Sequence, residues 1–202
     1  LDDIGADGVK IGMLHNTGII KCVYSILKKY KLKNIVLDPV MVAKGGAKLI
    51  NNSSIVYLKK LLLPLSNIIT PNIPEAEILT GYSISNKEDM IKAAKKILNM
   101  GSKNVLLKGG HLKNKMIFDI LASKKGIRIF SKKKIKTKNT HGTGCTLSSA
   151  LATCLSQKKN VLKSCKISLK YVDRAIVSAP SYGKGFGPLN HLVSFNLRNI
   201  DA

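Results

Sequence analysis

Short apolar runs alternate with longer stretches of helical periodicity along most of this chain, and that alternation leaves few architectures open. Val9-Lys10-Ile11-Gly12-Met13-Leu14 reads as a strand, and residues 17–30 then carry Ile19, Ile20, Val23, Ile26 and Leu27 at helical spacing. Ile35-Val36-Leu37-Asp38-Pro39-Val40 is a buried strand ending in Asp38. Residues 53–63 predict a helix stopped by Pro64. A strand follows over 67–72, and Pro74 sits in the first turn of a short helix. Residues 87–99 place Met90, Ala93, Ala94, Ile97 and Leu98 on one helical face, closed by Gly101. Asn104-Val105-Leu106-Leu107-Lys108 is a strand feeding a Gly109-Gly110 turn. Residues 116–137 suggest two or three antiparallel strands, Met116–Leu121, Ile127–Phe130 and Ile135–Thr137. Two helices follow, over about 144–156 and 161–178. Strands that are apolar throughout, separated by helices, argue for an α/β fold with a mostly parallel sheet covered on both faces.

The chain has 202 residues, which suits one sizeable domain, expected over 1–191 with a polar tail over 192–202. No apolar run reaches the roughly 18–20 residues of a membrane span. No signal peptide is visible, and the chain opens at Leu1 without Met, inside an apparent element. The net charge of +23 invites a nucleic-acid reading. Of the 34 basic residues, however, only Arg128, Arg174 and Arg198 are arginine, and Trp is absent. Phosphate and base readout favour the planar fork of Arg, and single-strand binding favours stacking aromatics. Runs such as Lys132-Lys133-Lys134 are solvated faces, so no nucleic-acid partner and no membrane partner is expected. Cys22, Cys145, Cys154 and Cys165 form no Cys-x-x-Cys pair and no metal spacing. Three of them fall in helical apolar patterns and read as reduced core residues, consistent with a reducing, cytoplasmic setting.

The densest chemical signal is Thr140-His141-Gly142-Thr143-Gly144-Cys145, which opens the helix predicted near 144. A glycine turn at a helix start offers free backbone N–H groups where the dipole also favours negative charge. Gly142, Thr143 and Gly144 are therefore a candidate anion seat, and Cys145 at its lip is a candidate nucleophile or base, where thiolate is favoured. Its alternative role is that of a small, inert residue at a helix start.

In open α/β sheets ligands gather beyond the carboxyl ends of strands. Asp38, the Thr70-Pro71-Asn72-Ile73-Pro74-Glu75 segment and Lys108-Gly109-Gly110-His111 all fall at such ends. Taken singly, Asp38 could be a turn residue, Asn72 and Glu75 helix caps, and Gly109-Gly110 an ordinary turn. His111 and His141 are weaker candidates still. Together they make chemical sense for phosphoryl transfer, which is mostly positioning and charge neutralisation. Asp38 and Glu75 could hold Mg²⁺, directly or through water. Lys108 and Lys44 could neutralise phosphate oxygens, and Cys145 could take a proton from an attacking hydroxyl.

Asp38-Pro-Val-Met-Val42-Ala-Lys44, Thr70-Pro-Asn72-Ile-Pro-Glu75-Ala-Glu77, Lys108-Gly-Gly110-His and Asn139-Thr140-His-Gly142-Thr143-Gly144-Cys145-Thr-Leu-Ser-Ser-Ala resemble the bacterial hydroxymethylpyrimidine/phosphomethylpyrimidine kinases of thiamine biosynthesis. Val9–Leu14 and Gly185-Phe-Gly-Pro-Leu-Asn-His191 fit as well, and the order holds from about residue 1 to 191. The resemblance implies a ribokinase-like three-layer α/β/α fold, a homodimer, and ATP with Mg²⁺. It implies phosphorylation of 4-amino-5-hydroxymethyl-2-methylpyrimidine and then of its monophosphate. It assigns Gly142, Thr143, Gly144 and Cys145 to catalysis, with Cys145 at the position of the base. Lys108, Gly110, Asn72, Thr140, Lys44 and Val42 would bind the nucleotide, and Asp38 and Glu75 the metal. Gly46 stands where the family usually has Ser, in a loop near the phosphates. The family also carries roughly another third of the fold before the position of Leu1, so the chain resembles a C-terminal part, with N-terminal strands and much of the substrate pocket missing. On that reading Val9–Leu14 borders an absent strand, and the chain alone is expected to aggregate or to be inactive. Other readings are a pyridoxal-type vitamin kinase and a non-catalytic remnant of such a kinase.

Overall fold

A computed structural model describes residues 1–43, 46–112 and 115–194. Two compact units are present, Leu1–Lys134 and Ile135–Ala202.

The first unit is built on a six-stranded sheet in the order β1-β2-β3-β4-β5-β6. The strands are β1 (Val9–Ile11), β2 (Ile35–Leu37), β3 (Ile68–Ile69), β4 (Asn104–Leu107), β5 (Met116–Ser123) and β6 (Gly126–Lys133). Pairing is parallel from β1 to β4 and antiparallel from β4 to β6. Every residue of β2 and β3 is buried, as are Val105, Leu106 and Leu107 of β4, so side chains on both faces are shielded from water. That burial explains why these strands carry continuous apolar runs instead of alternating ones. β1 and β6 form the two edges. β6 has only half-buried and exposed residues and carries Arg128, Lys132 and Lys133, a charged edge of the kind that discourages further strand pairing.

Helix α1 (Thr17–Lys29) connects β1 to β2, α2 (Asn52–Tyr57) precedes β3, and α3 (Ile73–Thr80) and α4 (Lys87–Asn99) lie between β3 and β4. α1 packs on α2, α3 on α4, and α4 on β5. Met90, Ala93, Ala94 and Ile97 of α4 are all fully buried, the face that the periodicity predicts. The predicted helix over 53–63 is α-helical only to Tyr57. A wider turn runs over Leu58–Leu62 and a tight one over Leu63–Leu65, which contains Pro64. Proline has no N–H to give to the preceding turn, so the regular ladder cannot run through it.

The second unit contains α5 (Thr143–Ser156) and α6 (Val161–Val177), packed on each other. The predicted strand at Ile135–Thr137 does not form. Residues 135–137 carry no regular secondary structure, and turn hydrogen bonds begin just after them, from the Asn139 amide to Thr137 Oγ1 and from the Thr140 amide to the Lys138 carbonyl. The cysteines divide differently from expectation: Cys154 and Cys165 are buried, but Cys22 is exposed, because it lies off the face of α1 that buries Ile20 and Leu27. No helix among the described residues is long and apolar enough to cross a membrane.

Candidate active site

Within the first unit, three residues one step beyond parallel strands converge. The Asp38 amide donates to the Ile11 carbonyl, the Thr70 amide to the Leu37 carbonyl and the Lys108 amide to the Pro71 carbonyl, at 2.8, 2.9 and 2.9 Å. Each extends its ladder by one residue and fixes where its side chain leaves the sheet. Thr70 Oγ1 donates to Asp38 Oδ1 at 3.1 Å, and Lys108 Nζ reaches the same oxygen at 3.2 Å. Asp38 is 2 % exposed and the Lys108 side chain 16 %, so the ion pair is largely shielded from solvent screening. Thr70, to which the strand-end pattern alone gives no role, is a second donor to Asp38.

Glu75 takes up one of its alternative readings. Its Oε2 accepts from the Asn72 amide at 2.8 Å, and Asn72 Oδ1 accepts from the Glu75 amide at 2.9 Å. This reciprocal capping box opens α3, with Pro74 in its first turn. The Met41 backbone also hydrogen-bonds the Glu75 carboxylate. Glu75 is 3 % exposed, and burial pushes its pKa up to about 7. Lys108 and the two backbone bonds pull it down, while nearby Asp38 pushes it further up. A carboxylate poised near neutrality and sharing a lysine with a second carboxylate is a site where added positive charge is favourable.

Among the described residues no cluster of three or more His, Cys, Asp or Glu could hold a metal by itself. Two carboxylates nevertheless suit Mg²⁺, which is usually held by one or two carboxylates with waters and substrate phosphates completing the shell. Val42 bridges Lys48 in an antiparallel pair and is half-buried, whereas Lys44 lies outside the described residues. Gly110 is exposed with open space where a side chain would be, and its carbonyl accepts from Lys134 Nζ at 3.4 Å. His111 is exposed.

The second unit presents the predicted anion turn. Gly142 caps α5 at φ +86°, a left-handed conformation that costs other residues strain, and no side chain caps this helix. Asn16, Asn51, Asn72, Asn86 and Asn160 cap α1, α2, α3, α4 and α6. The amides of Thr143, Gly144 and Cys145 are the first three of α5, where helix geometry supplies no internal partner. Thr143 Oγ1 donates to the Thr140 carbonyl at 3.2 Å and Thr146 Oγ1 to the Gly142 carbonyl at 2.9 Å, so the turn's own hydroxyls brace it. Cys145 is exposed with a free thiol. The His141 amide donates to the Gly187 carbonyl, and a side chain at Gly187 would run into that of Asn139. The glycine-rich segment near 187 therefore supports the turn, which residue spacing alone did not reveal.

The sheet of the first unit, parallel from β1 to β4 with acid, hydroxyl and lysine one residue beyond successive strands, is of the ribokinase-like α/β class. The phosphomethylpyrimidine kinase family matches residues 1–190, and the chain belongs to that family. It is 39 % identical over 191 residues to the hydroxymethylpyrimidine/phosphomethylpyrimidine kinase of Bacillus subtilis, covering 94 % of this chain and 70 % of that one. It is 45 % identical over 192 residues to the thiamine biosynthesis bifunctional protein of Geobacter sulfurreducens, covering 95 % of this chain but only 39 % of that one. Among solved structures, the phosphomethylpyrimidine kinase of Clostridium difficile superposes with a TM-score of 0.76 at 40 % identity, over 87 % of this chain and 71 % of that one. An ADP complex of Bacillus subtilis pyridoxal kinase gives 0.87 at 33 % identity, over 96 % of this chain and 72 % of that one.

Proposed function

We propose that this chain belongs to an enzyme that transfers the γ-phosphoryl group of ATP to 4-amino-5-hydroxymethyl-2-methylpyrimidine, and then to the resulting monophosphate. The observation that carries the reading is the family match across residues 1–190. In the first transfer the hydroxymethyl oxygen bonds to the γ-phosphorus, the bond from that phosphorus to the β-bridging oxygen breaks, and ADP leaves. The hydroxyl proton passes to the Cys145 thiolate. In the second transfer a phosphate oxygen of the monophosphate is the nucleophile.

Lys108 neutralises nucleotide phosphate oxygens, held in place by Asp38. Amides of Thr143, Gly144 and Cys145 stabilise charge that develops on the transferred group. Asn72, Gly110, Thr140, Val42 and Lys44 are assigned to the nucleotide. Asp38 and Glu75 are the residues that would hold Mg²⁺, which neutralises phosphate charge when bound. The enzyme is proposed to act as a homodimer in the cytoplasm.

The experiment is a phosphotransfer assay on a chain extended to the relatives' full length with the corresponding segment of the Bacillus subtilis kinase. The pyrimidine alcohol should be phosphorylated twice. The second reading, a pyridoxal kinase, is favoured by the TM-score of 0.87 to the Bacillus subtilis enzyme. Turnover on pyridoxal without turnover on the pyrimidine would establish it instead.

A further inference from the structure

Asp119 lies on β5, in a run of otherwise apolar residues from Met116 to Ala122, and is only 5 % exposed. The β4–β5 ladder pairs Leu107 with Ile120 and ends there. Continuing the register would set Gly109 opposite Phe118. At that point the Phe118 carbonyl oxygen lies so close over Gly109 that a Cβ on residue 109 would collide with it. The Gly109 amide donates instead to Asp119 Oδ1, at 2.9 Å. The preceding amide, of Lys108, donates to the Pro71 carbonyl on the other side. Consecutive amides are thus pinned in opposite directions, one to β3's extension and one to a side chain of β5. Between them the Lys108 Cα has little freedom, and its side chain is delivered to Asp38.

We propose that Asp119 is a positioning residue for the lysine of the nucleotide site: by holding the Gly109 amide where the strand ladder has ended, it aims Lys108 at Asp38. The inference rests on the reading of Lys108 as a phosphate-binding group, but its geometry does not. A buried carboxylate accepting a backbone N–H makes a strong, directional contact. A neutral amide oxygen at the same place can still accept the bond, whereas a methyl group cannot.

The test uses the chain extended as for the phosphotransfer assay, carrying Asp119→Ala or Asp119→Asn, and is read in three ways. Hydrogen exchange of the Gly109 amide should speed up by about tenfold or more in Asp119→Ala and stay within about threefold of native in Asp119→Asn. A double-mutant cycle of Lys108→Met and Asp38→Asn measures their coupling as a ratio of unfolding constants. That coupling should fall below about twofold in the Asp119→Ala background and persist with Asp119→Asn. ADP affinity should weaken in Asp119→Ala and recover in Asp119→Asn. Should Asp119→Ala not fold, Asp119→Ser takes its place, because its hydroxyl is too short to reach the amide. If the native chain fails to bind ADP, the nucleotide reading falls while exchange and coupling still decide the positioning. Unchanged Gly109 exchange in Asp119→Ala, equal behaviour of the Ala and Asn variants, or a Lys108–Asp38 coupling indifferent to residue 119 would overturn the inference.

Discussion

Lys108 Nζ stands 3.2 Å from Asp38 Oδ1, so residues that follow β4 and β2 meet across the end of the intervening β3. Thr70, which follows β3, donates to the same oxygen. Three separate segments of chain are therefore tied together by one carboxylate.

Removing the cation of this pair takes an opposite charge away from a buried carboxylate. Lys108→Met should destabilise the protein by about 3 kcal/mol, the scale for breaking a largely buried ion pair from one side. Lys108→Met combined with Asp38→Asn should be more stable than Lys108→Met alone. Urea unfolding of the native protein and the two variants checks the order.

Glu75 makes stability depend on pH. Its folded pKa of about 7 lies above the ordinary value of 4.5, so folding favours the protonated form. The stabilisation is fully present below pH 4.5 and is lost as pH rises through 7, by about 3 kcal/mol from this group. Glu75→Gln keeps an acceptor for the Asn72 amide and removes the ionisation. It should match native stability near pH 4.5 and exceed it at pH 8, as measured by denaturant midpoints across that range.

Gly109 and Gly142 should resist substitution for different reasons. At Gly109 an added Cβ meets the Phe118 carbonyl, a backbone atom that cannot swing aside. Gly109→Ala should therefore cost about 3 kcal/mol, the upper end for overpacking. Gly142 has open space around it but sits at φ +86°, so Gly142→Ala should cost only about 1–2 kcal/mol. Thermal unfolding of the two variants measures the difference.

Thiol chemistry separates the cysteines. Cys22 and Cys145 are exposed, Cys154 and Cys165 buried. In Cys22→Ser a thiol reagent should modify Cys145 first, and ATP with Mg²⁺ should slow that modification. Peptide mapping after short exposure gives the result.

Much of this organisation is legible in the residues themselves. Continuous apolar strands such as Ile35-Val36-Leu37 announced a buried parallel sheet, and the helical face of Met90, Ala93, Ala94 and Ile97 fell where it was expected. Asp38 and Lys108 were recognisable as strand-end residues because each follows an apolar run. Their contact was not, since it depends on β2 and β4 sitting one strand apart in the sheet. Glu75 was ambiguous from sequence because the same spacing from Asn72 serves a capping box and a phosphate site, and the structure shows the capping box formed. Asp119 went unnoticed, although a lone acid in an apolar strand was the signal that could have exposed it. Ile135–Thr137 misled because a three-residue apolar–polar alternation is too short to distinguish a strand from an extended loop, and these residues carry no regular secondary structure.

The most direct measurement of the central claim is ATP-dependent phosphorylation of the hydroxymethylpyrimidine by the full-length extended chain, followed by ³¹P NMR alongside Lys108→Met and Cys145→Ala. The account predicts a monophosphate and then a diphosphate from the native sequence, with both variants slowed by about a hundredfold or more, the scale of losing a positioned base or charge-stabilising group. Native turnover in both variants, or no phosphorylated pyrimidine from the unaltered protein, would contradict it.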